Sequence, residues 1–167
     1  SCSSYEKYKK NIDLYSDPSL FHESMQKLTD VIVYDIFSPP VASRIYAYPT
    51  IAAYEVLINE NPNYKSLSGK LNGLESVPLP DPDLEYSFPV ASIHAFLEVG
   101  RDLIFSEEKI KEYQSQLFGD LKKLGIPKDI YSRSIEYGDV VATHIRNWYK
   151  KDNYAQTRSF PKYTIRR

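Results

Sequence analysis

Cysteine is nearly absent from this chain. Cys2 is the only one in 167 residues, which excludes an internal disulfide and any cysteine-based zinc cluster. Histidine is scarce too, with three, and methionine and tryptophan occur once each. No apolar run approaches the roughly 20 residues that span a bilayer. Charge of one sign is also missing: a net charge of -1 gives no electrostatic reason to expect nucleic acid as a partner. What is abundant is tyrosine, with 15 copies, a large apolar ring whose one hydroxyl needs a partner and which suits half-buried seams between helices. The length carries one core-bearing domain and is short for two, so residues 1–167 are expected to form a single helical domain.

Along the chain, apolar residues recur at helical spacing in five strong segments and one weak one. Tyr5, Tyr8, Ile12 and Tyr15 predict a short amphipathic helix that frays at its free end. Asp17-Pro18 supplies a cap and a proline at the first helical position. Leu20, Phe21, Met25, Leu28, Ile32 and Ile36 then form one stripe, so a helix is expected over Pro18 to Ile36. Phe37-Ser38-Pro39-Pro40 breaks that helix and opens the next with Ser38 as cap. Small and large residues alternate on its buried side, and Pro49 within it removes one backbone hydrogen bond. Ser87-Phe88-Pro89 opens a helix that is apolar nearly all round and is therefore expected at the centre. Ser106-Glu107-Glu108 is expected to cap the next one, and Pro127 and Asp129 to start the last, where Gly138 marks a close crossing.

Between Asn61 and Tyr86 the periodicity stops. Leu71, Leu74, Val77 and Leu79 argue for a strap lying over the helices, with a short helix near Tyr64 to Leu71. After Asp152 the basic tail, residues 152–167, is expected to leave the bundle as an extended segment, and its lack of a cap or stop signal implies that the natural chain continues. The fold class is thus all-α, a bundle of five or six helices with one long strap at about 61–86 and an extended C-terminal tail.

No catalytic constellation is found. His22-Glu23 begins like a zinc helix, but Gln26 stands where the second histidine belongs. His22, His94 and His144 fall on three different predicted helices, so each is read as a solvated or hydrogen-bonded structural residue. Asp30, Asp35 and Glu55 flank the Ser38 turn and are read as exposed acids or partners for Arg44 rather than a catalytic pair. Gly69-Lys70 lacks the rest of a phosphate loop, and no nucleophile elbow or dinucleotide fingerprint occurs. The catalytic, cofactor and metal residues expected in this chain are therefore none.

Three stretches carry a resemblance. LTDVIVYDIFSPPVASRIYAYPTIAAYE (Leu28 to Glu55), FPVASIHAFLEVGRDLIFSEEKI (Phe88 to Ile110) and SIEYGDVVATHIRNWYKKDNYAQTRSFPKYT (Ser134 to Thr164) resemble the N-terminal helical region of bacterial lipoproteins in the vanadium-dependent haloperoxidase and type 2 phosphatidic acid phosphatase superfamily. In that superfamily an anionic oxide, vanadate or phosphate, is held by K-x6-R-P, P-S-G-H and S-R-x5-H-x3-D motifs on a C-terminal bundle. None is present here: after Ser132-Arg133 the histidine position holds Asp139, and His144 falls too late. The resemblance implies a noncatalytic helical part, inactive alone, whose partner is a C-terminal catalytic half that would bind the vanadate or phosphate. Ser-Cys-Ser-Ser at the start resembles a mature lipoprotein, which makes Cys2 the candidate lipidation site and the bacterial cell envelope the implied location. The alternative is a stand-alone helical binding or scaffold module at a bacterial surface.

Overall fold

The computed structural model describes residues 2–158, with side chains from Ser4 to Gln156; all structural statements below concern these residues. Helices run in the order α1 (Cys2–Lys10), α2 (Ile12–Tyr15), α3 (Pro18–Tyr34), α4 (Pro39–Leu57), α5 (Phe88–Arg101), α6 (Glu107–Lys123), α7 (Lys128–Tyr149) and α8 (Tyr154–Arg158), with a 3-10 turn at Ile58–Glu60. Five of them are long, and together they form the all-α bundle that the periodicity predicts.

Helix α5 lies at the centre and packs against α3, α4, α6 and α7. Its residues from Val90 to Leu97 are all buried, as expected of a helix that is apolar nearly all round. Small side chains permit the close contacts: Ala52 and Ala53 on α4, Ala91 and Ala95 on α5, and Ala142 on α7 are all buried. Gly138 sets the tightest approach, since a Cβ there would lie 2.7 Å from the Ala91 carbonyl oxygen. Helix α4 continues through buried Pro49, whose ring faces Gly100 of α5.

The N-terminal segment is firmer than its sequence suggests. The predicted helix is broken at Asn11 into α1 and α2, and Tyr8 and Tyr15 are almost fully buried. The Tyr15 hydroxyl donates to the Leu121 carbonyl (3.1 Å) and accepts from the Ile126 N–H (3.0 Å). Lys7 Nζ reaches the Lys123 carbonyl at 2.7 Å, and Asn11 Nδ2 the Leu124 carbonyl at 2.9 Å. The Lys123 and Leu124 carbonyls at the C-terminus of α6 are thereby satisfied from the N-terminal segment.

The helix ends correct several expectations. Asp17 caps α3 as predicted, accepting from the Ser19 N–H at 2.9 Å. Ser38, Ser87 and Ser106 make no side-chain cap. The start of α6 is capped instead by Asp35, which accepts from the N–H groups of Phe105 (2.9 Å) and Ser106 (3.0 Å) and from the Ser106 hydroxyl (2.5 Å).

Helix α3 stops at Tyr34, short of the predicted Ile36. Ile36 N–H bonds back to the Val33 carbonyl and Phe37 N–H to the Ile32 carbonyl, the bond pair that usually accompanies a left-handed glycine. Here that position is Ile36, with φ +56°. A β-branched residue in this region costs about 1–2 kcal/mol relative to glycine. Its side chain is 87% exposed, and Phe37, not Ile36, packs against the core.

Residues 61–87 form the strap. The short helix expected near Tyr64 to Leu71 is absent there, replaced by turns. Leu74 is buried and Leu67, Leu71 and Val77 pack against the α4, α5 and α7 side chains, whereas Leu79 is exposed. The tail is not extended from residue 152 onward as predicted: α8 occupies Tyr154–Arg158, and the remainder of the predicted extended segment lies outside the described residues, as does the Cys2 side chain.

Candidate functional site

Three polar clusters punctuate the bundle, and each ties segments together. The first is Glu55, which is only 2% exposed on the inner face of α4. Its carboxylate accepts from the Ser66 hydroxyl (2.8 Å) and the Leu67 N–H (2.7 Å). A buried carboxylate needs such charge-assisted bonds to offset its lost hydration. The Ser66 hydroxyl also accepts from the Ser68 N–H at 3.0 Å, so one turn of the strap closes over the acid. Further along, the strap carbonyls of Asn72, Glu75 and Pro78 face donors on α7, namely Trp148 Nε1, His144 Nε2 and the Tyr137 hydroxyl. Asp30 bonds Gln26 and Asp35 caps α6, so the three acids near the Ser38 turn form no carboxylate pair.

The second cluster centres on His94 of α5. Gln114 Nε2 lies 3.1 Å from His94 Nδ1 and 3.1 Å from Glu98 Oε1, so this nitrogen is a donor to both. His94 Nδ1 is then the acceptor, and Nε2–H donates to Asp139 at 2.7 Å. An open groove of about 570 Å³ runs beside it, lined also by Arg101, Lys111, Lys122 and Tyr131. Both ring nitrogens are thus engaged, and His94 is hydrogen-bonded to α6 and α7. His22 is exposed on α3, far along the chain from its two counterparts, and no group of three or more His, Cys, Asp or Glu side chains that could hold a metal ion occurs among the described residues.

The third cluster surrounds Arg44 of α4. Its guanidinium pairs with Asp152 (2.6 Å) and lies over the rings of Tyr154 (4.2 Å), Tyr48 (5.0 Å) and Tyr149 (5.2 Å). The Tyr48 hydroxyl also donates to Asp152 at 2.7 Å. Burial, together with that carboxylate, pushes Tyr48 up to about 12. Burial would raise Asp152, but the bonds from Arg44 and Tyr48 outweigh it and hold its carboxyl below the usual range. The sequence reading paired Arg44 with an acid but gave no sign of this one, because Asp152 lies 108 residues away.

These pairings bear on whether the arginines could form an oxyanion site. An anionic oxide such as vanadate or phosphate needs free cations and donors converging on one point. The arginines whose side chains are described all face carboxylates: Arg44 faces Asp152, Arg101 faces Glu98, Arg133 faces Asp129 and Arg146 faces Asp102. The Gly69-Lys70 turn adds no cradle, since Gly69 N–H is already bonded to the Leu74 carbonyl. Neither the described arginines nor this turn offers an oxyanion a free set of donors.

What the bundle does define is an all-helical class, and its architecture is similar to part of one solved haloperoxidase. In particular, the crystal structure reported as the first bacterial vanadium-dependent iodoperoxidase is similar to this chain, with a TM-score of 0.84 and 42% sequence identity over 89% of this chain. The match covers 35% of that protein, so this chain spans about a third of its length. No protein-family model and no curated protein matches.

Proposed function

We propose that this chain is the noncatalytic helical part of an exported, vanadium haloperoxidase-like or acid phosphatase-like protein, and that it packs against a catalytic part lying outside these 167 residues. The observation that carries this reading is the 42% identity and TM-score of 0.84 over nearly the whole of this chain but only 35% of the iodoperoxidase. The absence of the three oxyanion motifs from the sequence and the carboxylate-bound arginines agree with it. Vanadate or phosphate would be held by the other part, whose donors would neutralise the oxyanion. Of the two chemistries, halide oxidation is favoured, because the similar protein is an iodoperoxidase.

Lipidation at Cys2 would place the assembled protein at the bacterial cell envelope. Intact-mass measurement on the native protein tests it, and an unmodified Cys2 refutes it. For the main reading, the reading frame beyond Arg167 is expected to encode P-S-G-H and S-R-x5-H-x3-D motifs. Residues 1–167 alone are expected to oxidise neither iodide nor bromide with vanadate and to hydrolyse no phosphomonoester, whereas the complete polypeptide does one of these. A frame that ends at Arg167 favours instead the stand-alone helical binding or scaffold module.

A further inference from the structure

One end of the bundle carries a cluster of large apolar side chains that none of the other described residues covers. Val33 and Tyr34 end α3, Ile36 follows in the turn, and Phe105 lies in the turn before α6; they are 71%, 64%, 87% and 76% exposed. Asp35 ties the two turns together through its bonds to Phe105 and Ser106, and the Phe37 and Phe105 rings lie 4.8 Å apart. Exposed apolar residues scattered singly are ordinary, but a contiguous group on adjoining turns marks an interaction surface. Ile36 strengthens the case independently. It occupies a left-handed position where glycine would be unstrained, and it turns its side chain to solvent instead of into the core. The backbone strain therefore yields no packing inside this chain.

We infer that this end, centred on Ile36 and Phe105, is where the remainder of the longer polypeptide docks, through an apolar face of its own. This rests on the proposed function above. Two observations favour that occupant over a second copy or a lipid surface. The similar iodoperoxidase is nearly three times as long as the matched region, given 35% coverage, so a larger body has to be seated against this bundle. The chain also leads to this end: Arg146 near the end of α7 pairs with Asp102, three residues before Phe105, and Tyr154 of α8 lies on Arg44, five residues into α4 from the turn that holds Ile36. The last described helix, α8, therefore lies beside the start of α4. A lipid anchor at the N-terminus would face the other way, because α1 and α2 are bonded to the far end of α6, about 25 Å off by helix rise.

Amide hydrogen exchange at residues 33–37 and 103–109 tests the inference, comparing residues 1–167 with the complete polypeptide translated from the same reading frame. Exchange at least tenfold slower in the complete polypeptide, independent of protein concentration, is expected. The Ile36→Gly variant of residues 1–167 should melt at the same or a higher temperature than the parent, since strain is relieved. In the complete polypeptide the same variant should restore fast exchange around Phe105. Equal exchange in the two chains overturns the inference. So does protection that appears in residues 1–167 only as concentration rises, which identifies a second copy, or only on adding anionic lipid vesicles, which identifies a membrane. If the complete polypeptide oxidises iodide with vanadate while these amides stay unprotected, docking here is refuted and the proposed function stands. A frame that stops at Arg167 refutes both.

Discussion

The strap flank and the turn end of this bundle invert the usual association of irregular chain with looseness. The strap, residues 61–87, has no regular structure, yet it buries Leu74 and is bonded to α4 and α7 along its length. The two turns at the other end are short and lie between long helices, yet they present Val33, Tyr34, Ile36 and Phe105 to solvent. The difference comes from where the polar anchors point. Glu55 reaches across from α4 to hold the Ser66 hydroxyl and the Leu67 N–H of the strap, which draws apolar side chains in beneath it. Asp35 instead spends its carboxylate fastening one turn to the other, which leaves the outer surface of both uncovered.

The most damaging change should lie under both regions, at the crossing on which they depend. Gly138→Ala puts a Cβ against the Ala91 backbone and is expected to cost about 3 kcal/mol in urea unfolding. A cost under about 0.5 kcal/mol would mean that α5 and α7 part easily. Glu55→Ala should cost about 2 kcal/mol, since the Leu67 N–H loses its partner. It should also make residues 61–87 the first site of limited proteolysis. Unchanged cleavage would show that the strap is held by its leucines alone and would remove the basis of the contrast.

A smaller effect is expected for Asp35→Asn, about 1 kcal/mol near neutral pH. Burial alone would raise the Asp35 carboxyl, but bonds from Ser106 and Phe105 hold it below the usual range. A depressed carboxyl contributes stability that is present above the unfolded value, near pH 4, and is lost as pH falls through the folded value. The variant should therefore flatten the acid limb of the stability profile, and an unaltered limb would show that Asp35 is no anchor. The mildest effect concerns the tyrosines. Tyr48 and Tyr137 are both pushed up to about 12, chiefly by burial, which also raises Tyr8, Tyr15, Tyr113 and Tyr149, so ultraviolet titration should show at least two phenols ionising well after the exposed ones. Because the folded values are raised, the associated stability is complete below the unfolded value near pH 10 and disappears as pH rises through about 12.

The sequence showed most where neighbours in the chain decide the structure. The apolar girth of α5, the Asp17-Pro18 start and the close crossing at Gly138 are local signals, and all three appear in the fold. It misled where the deciding partner is remote. Ser38 and Ser106 look like caps, but the second position is served by Asp35 from 71 residues away. Ile36 fits the α3 stripe by periodicity, and only the turn geometry sends it outward. Glu55 reads as a surface acid because nothing adjacent announces that a strap will fold over it. The His94, Gln114 and Asp139 chain joins three helices and has no sequence signature at all. The likeness to haloperoxidases was legible because it rests on long stretches of sequence rather than on a few side chains.

Tyr15 has a consequence for how the chain is made. Its hydroxyl bridges Leu121 and Ile126, partners 106 and 111 residues downstream. During synthesis the first two helices therefore emerge long before anything exists for them to hold, an interval of roughly 5–20 s at ordinary elongation rates. Through that interval the Tyr8 and Tyr15 rings are exposed apolar surface on a nascent chain. The bundle can close only once the α6–α7 turn has been made, so α1 and α2 are among the last helices of this bundle to be secured.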